Sequence, residues 1–135
     1  MYLLDTCVVS EARRHSPQAV AWLRAARPDT LFLSALTIGE VMKGAMMKLH
    51  TDPQAAAPLR RWLDELRFLY ADRILPVDDA VAATWGRLMA QRTRPVVDTL
   101  ILATAQVNNK IIVTRNVADF ADAGVEVIDP WTVMR

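Results

Sequence analysis

The sequence predicts a single α/β domain on a mostly parallel sheet. Three observations point there: five short apolar runs, longer segments of helical spacing between them, and a length of 135 residues. That length suffices for one core and not for two, so residues 1–135 read as one domain. No repeat, low-complexity tract or Gly/Ser linker marks a boundary. Hydrophobic residues at 53% against charged residues at 23% can cover both faces of a sheet and exclude a disordered chain.

The runs Tyr2 to Leu4, Leu31 to Leu33, Ile74 to Val77, Ile111 to Val113 and Val125 to Ile128 are bounded by polar residues and read as strands. Asp52-Pro53 reads as an N-cap followed by a first-position proline, opening a helix over 53–71. Val81, Trp85, Leu88 and Met89 share one face of a helix over 78–93. A further helix over 97–109 leads directly into the fourth strand, so it begins at the edge where the strands end. Two helices between the third and fourth strands require one of them to cross the sheet obliquely. Strands alternating with helices give a parallel sheet covered on both faces, a three-layer α/β/α arrangement.

Charge excludes one class of behaviour. Sixteen Lys and Arg against fifteen Asp and Glu leave a net charge of +1, too small to draw in nucleic acid by overall field, so any such contact is local. The single cysteine, Cys7, rules out an internal disulfide and fits a reducing cytosol. No stretch approaches the roughly 18 apolar residues of a membrane span, so a soluble, cytoplasmic protein is expected.

Ligands of such a sheet bind beyond the carboxyl ends of its strands, and four acids are expected at that edge. Asp5 ends the first strand, Glu40 lies early in the helix after the second, Asp98 opens the helix before the fourth, and Asp119 follows the fourth. Each of the last three also has a local reading. Thr37-Ile38-Gly39-Glu40 matches a capping box, Asn116 and Asp119 have N-cap and N3 spacing, and Asp98 suits a helix dipole. Asp5, ending one apolar run with another after it, is the hardest of the four to read as only a solvated surface charge. Four converging carboxylates disfavour one another's ionisation, so they need a cation or protons. Oxygen-only ligands suit Mg²⁺ or Mn²⁺, whose chemistry with phosphate esters is activation of water and stabilisation of charge.

The ordered set Leu4-Asp5-Thr6 with Val8-Val9-Ser10-Glu11, Gly39-Glu40, Val97-Asp98-Thr99-Leu100-Ile101, Thr114-Arg115-Asn116-Val117-Ala118-Asp119-Phe120 and Val127-Ile128-Asp129-Pro130-Trp131 resembles the PIN-domain ribonucleases. Within them it resembles the VapC-type toxins of toxin-antitoxin systems, in the FitB-like subgroup. The likeness spans nearly the whole chain. It implies a PIN-like domain with a five-stranded sheet, a homodimer, Mg²⁺ or Mn²⁺ held by Asp5, Glu40, Asp98 and Asp119, and endonucleolytic RNA cleavage by metal-activated water. It further implies support from Thr6, Thr114 and Asn116, a cognate VapB-type antitoxin as partner, operator DNA reached only through that antitoxin, and no membrane. The alternative is a catalytically silent PIN-like module acting through protein partners.

One residue departs from the subgroup's pattern: Cys7 stands where Asn is usual, replacing two amide donors by one weak thiol donor beside Asp5. Arg92, Arg94 and Arg115 lie near the acids in sequence and are candidates for RNA phosphates, with surface salt bridges as the alternative. Met42, Met46 and Met47, with Trp22 and Trp62, are candidates for an antitoxin groove, with core packing as the alternative. Two other acid-bearing parallel-sheet folds fail on a required residue. A receiver domain lacks its late strand-end lysine, because Lys110 precedes its strand, and a haloacid-dehalogenase-type phosphatase needs a second Asp where Cys7 stands.

Overall fold

The computed structural model describes residues 1–133 and has the expected α/β architecture. Strands β1 (Tyr2–Leu4), β2 (Leu31–Ser34), β3 (Ile74–Leu75), β4 (Ile111–Val113) and β5 (Val127–Ile128) form one sheet in the order β3-β2-β1-β4-β5, and every pairing is parallel. Two strands are shorter than their apolar runs. Pro76, with no N–H to donate, follows β3 directly, and β5 starts only at Val127, after Gly124 has turned the chain at a φ of 71°.

Helices α1 (Thr6–Arg13), α2 (Pro17–Ala25), α3 (Ala35–Thr51), α4 (Pro53–Leu69), α5 (Asp79–Gln91) and α6 (Val96–Val107) connect the strands, with the single turns α7 (Val117–Phe120) and α8 (Pro130–Val133) near the end. Polar side chains start several of them: Asp52 accepts from the Ala55 N–H at 3.2 Å to open α4, and Asp78 accepts from the Val81 N–H at 3.0 Å to open α5.

Because successive strand residues point to opposite faces, Leu3 and Leu4 serve different cores. Leu3 and Ile112 pack with Val81, Leu88, Ile101, Leu102 and Phe120, beneath α5, α6 and α7. Leu4, Leu33 and Val113 pack with Val8, Ala19, Leu66 and Trp131, beneath α1, α2 and the end of α4. The chain winds outward from β1 through β2 to β3, and the α5–α6 pair then carries it back to β4 on the other side of β1. Winding reverses between β1 and β4, which opens a crevice at their carboxyl ends. That crevice positions the site.

Candidate active site

Asp5 follows β1, and its backbone N–H still donates to the Val113 carbonyl of β4 at 2.9 Å. The carboxylate therefore sits in the crevice between the two strands and is only 4% exposed. One of its oxygens accepts the Thr6 N–H at 2.8 Å; the other accepts the Thr114 hydroxyl at 2.8 Å and the Cys7 thiol at 3.4 Å. No Lys or Arg pairs with it among the described residues. A buried carboxylate with three neutral donors and no counter-charge favours a cation beside it. Thr114 is itself held, since its hydroxyl oxygen accepts the Asn116 N–H at 3.0 Å.

Glu40 is not a capping residue. Helix α3 begins at Ala35 and is capped by Ser34, whose hydroxyl accepts the Leu36 N–H at 3.1 Å, so Thr37 and Glu40 both lie inside the helix. The expected capping box fails because Ser34, at the strand end, captures the free N–H first. The Glu40 carboxylate instead accepts the Thr6 hydroxyl at 2.6 Å. With its single proton given to Glu40, Thr6 accepts from Thr37, fully buried and 3.0 Å away. Thr37 was not among the residues expected at the site. Its only signal in the sequence is its place one turn before Glu40 on the same helix face.

Asp98 lies in the first turn of α6 and Asp119 on α7, and neither helix has a side-chain N-cap bond. Burial comes first among the causes that push Asp98 up to about 6. The negative charges of Asp5, Asp119 and Glu40 follow in that order, then a hydrogen bond that Asp119 offers the protonated form. All four expected acids therefore share one electrostatic environment. Asp98 feels the charges of the other three, but among the described residues no three Asp, Glu, His or Cys side chains stand close enough to hold an ion as they are placed. The donor set still fits Mg²⁺ or Mn²⁺, because Mg²⁺ typically uses one or two carboxylates and fills its shell with water and phosphate.

The three arginines separate. Arg115 is exposed, with its guanidinium 4.4 Å from the centre of the Trp131 ring. Arg94 cannot reach solvent phosphate: its side chain is 1% exposed and bonded internally. Arg92 is exposed, but its bidentate edge is taken by Asp122 at 3.1 and 3.4 Å. Arg92 and Arg94 thus follow the salt-bridge alternative, with Asp122 as a partner that the sequence did not name.

A cleft of about 430 Å³ adjoins Thr6 and Glu40 and is lined further by Met47, Trp62, Arg14 and Lys48. Trp22 is elsewhere, packed edge-on against Tyr2 with ring centres 5.0 Å apart. Met42 and Met46 are exposed on α3 outside this cleft. Of the expected groove residues, Met47 and Trp62 are the two that line it.

The PIN domain family model matches residues 2–125. The chain is 33% identical to Toxin FitB of Neisseria gonorrhoeae over 138 aligned residues, covering 97% of this chain and 99% of that protein. It is also 33% identical to VapC ribonuclease Y4jK of Sinorhizobium fredii, over 97% and 98% of the two. The solved structure of FitAB bound to the IR36 DNA fragment includes a chain that superimposes with a TM-score of 0.86 at 32% identity, over 97% of this chain and 96% of that one.

Proposed function

The chain belongs to the PIN-domain family, and from that premise we propose that it is an endoribonuclease, the toxin of a VapBC-type toxin-antitoxin pair, dependent on Mg²⁺ or Mn²⁺. The observation that carries this reading is the Asp5 carboxylate, 4% exposed at the β1/β4 crevice with no cationic partner among the described residues, facing three further acids.

In this reading Asp5 and Asp98 hold the metal directly, and Glu40 and Asp119 hold it directly or through water. The bound ion supplies Lewis acidity, which favours ionisation of water and offsets the charge that develops on the phosphate. The remaining work belongs to the chain. Thr114 and the Thr6 N–H fix both Asp5 oxygens, Thr37 and the Thr6 hydroxyl fix Glu40, and the Asn116 N–H fixes Thr114. Glu40, exposed at the rim, helps orient the attacking water. The Asn116 amide and the Arg115 guanidinium, both exposed, contact RNA phosphate.

The cleft beside Thr6 and Glu40 receives a segment of a VapB-type antitoxin, and operator DNA is contacted through that antitoxin. The protein acts as one domain over 1–135 and as a homodimer in the cytoplasm; no helix among the described residues is long and apolar enough to cross a membrane. The test is cleavage of a structured RNA panel, tRNAs included, with Mg²⁺ or Mn²⁺, with EDTA, and with Asp5→Asn and Asp98→Asn. Metal-dependent cutting lost in both variants is expected. Absence of cutting by the parent, or equal cutting by the variants, overturns the reading.

A further inference from the structure

We propose that Arg92, Arg94 and Asp122 form a clamp that positions Asp119 relative to Asp98, so that three residues outside the carboxylate cluster set its affinity for a cation. This inference rests on the nuclease reading of that cluster.

Asp119 has weak local support. Helix α7 is one turn of four residues, and a single turn has almost no stability of its own. On one side it is anchored by Phe120, fully buried in the core beneath α6. On the other side the chain reaches Asp122, held at a φ of 69°, a left-handed conformation that Asp adopts only at some cost. The Asp122 carboxylate accepts Arg92 Nε at 3.1 Å, Arg92 Nη2 at 3.4 Å and Arg94 Nη2 at 3.3 Å. Both arginines lie in the short link between α5 and α6, and Asp98 follows Arg94 by four residues, in the first turn of α6. The contact therefore joins the segment that launches Asp98 to the segment that follows Asp119.

Arg94 is not explained by stability. Its side chain is 1% exposed, its Nε donates to the Leu88 carbonyl at 3.2 Å, and its Nη1 is buried without a partner among the described residues. Burying a guanidinium with an orphan donor is unfavourable, and an apolar side chain of similar volume would avoid the cost. What an apolar side chain cannot do is reach Asp122 with a rigid charged fork. The arginines hold Asp122 below the usual carboxylate range, so the clamp stays charged near neutral pH.

The experiment measures Mn²⁺ binding to the metal-free protein by electron paramagnetic resonance, beside steady-state RNA cleavage, for D122N, R92Q and R94M. Each variant is expected to bind Mn²⁺ about tenfold more weakly, as loss of an outer support does at metal sites. The KM for RNA at saturating metal should change by less than about twofold, and R92Q combined with D122N should be no weaker than D122N alone. Hydrogen exchange should rise over residues 117–121 and stay unchanged in the middle of α6. D122N and R92Q alter side chains that are 55% and 42% exposed, so they keep the test decisive if R94M does not fold. D122N binding Mn²⁺ as the parent does overturns the clamp. So does an R92Q variant that raises KM for RNA while D122N does not, which is the signature of a phosphate contact. A parent that cuts RNA and binds Mn²⁺ while D122N matches it removes the clamp alone; a parent that does neither removes the nuclease reading with it.

Discussion

The two halves of the carboxylate site are built on opposite principles. On the β1/β4 side, Asp5 is buried, its two oxygens are met by three donors, and the strand pairing continues through its own N–H. On the α6/α7 side, Asp98 and Asp119 stand half-exposed on the starts of two helices without side-chain N-cap bonds, and burial, followed by the charges of Asp5, Asp119 and Glu40, pushes Asp98 up. One half is organised before any ligand arrives. The other is under electrostatic tension that a divalent ion would relieve. Substitutions should therefore behave differently in each: in the ordered half they should cost activity and stability together, and in the tense half they should cost activity while stability rises.

The largest effect should come from the ordered half. Asp5→Asn keeps the shape but removes the charge, and cleavage should fall about a thousandfold or more, since the ligand itself is lost. Thr114→Val should come next. The methyl group cannot donate to Asp5 or accept from Asn116, so metal affinity or cleavage should fall roughly 10–100-fold. Thermal unfolding should show a loss of about 1–3 kcal/mol, because a buried oxygen loses its partner. A Thr114→Val protein that is fully active would mean Asp5 needs no support, and the contrast between the halves would disappear.

Asp98→Asn should have a smaller effect on stability, of opposite sign. Its acid titrates at about 6 in the folded chain against an ordinary 3.8. Between those values the folded state binds more protons than the unfolded state, so the metal-free parent loses stability as pH rises through that window. Asp98→Asn should thus be more stable than the parent at pH 7, with the gap closing below about pH 4. Because Asp98 is partly exposed, screening trims the gain to roughly 1 kcal/mol, about 3 °C in Tm. Added Mg²⁺ should raise the Tm of the parent more than that of the variant. A variant less stable than the metal-free parent at pH 7 would show that no such tension exists.

The same contrast explains what the sequence made legible. Asp5 could be read from its place at the end of an apolar strand, although its carboxylate also caps α1 by accepting the Thr6 N–H. The cap at Asp52 could be read because its bond spans three residues. Glu40 was ambiguous for a physical reason. A capping-box pattern starting at Thr37 is genuine as a pattern, but the cap goes to whichever side chain stands at the strand end, and that is Ser34. The clamp was illegible because Arg94 and Asp122 are 28 residues apart and nothing local marks one arginine among several as buried. Asp98 and Asp119 needed the ordering of motifs across the whole chain, since each alone also suits a helix start.

The smallest expected effect concerns Cys7, at the one place where the ordered half is imperfect. Burial, then the charge of Asp5, pushes its thiol up to about 11, so at neutral pH it is a protonated, weak donor to Asp5 at 3.4 Å. A thiol in that state is neither a good nucleophile nor a metal ligand, so its role is confined to packing, to that weak bond and to a 3.7 Å contact with the Thr114 hydroxyl. An amide N–H in the same place would hold the carboxylate more firmly, but Thr114 and the Thr6 N–H already supply the two shorter bonds. Cys7→Asn should therefore raise kcat by no more than about threefold, well short of the 10–100-fold expected for a sole support. Alkylation of Cys7 in the native protein should be slow and should speed up on unfolding. Identical turnover in Cys7→Asn would mean that the two shorter bonds suffice. A gain of tenfold or more would mean that Asp5 is held loosely, and that the two halves of the site differ less than their geometry implies.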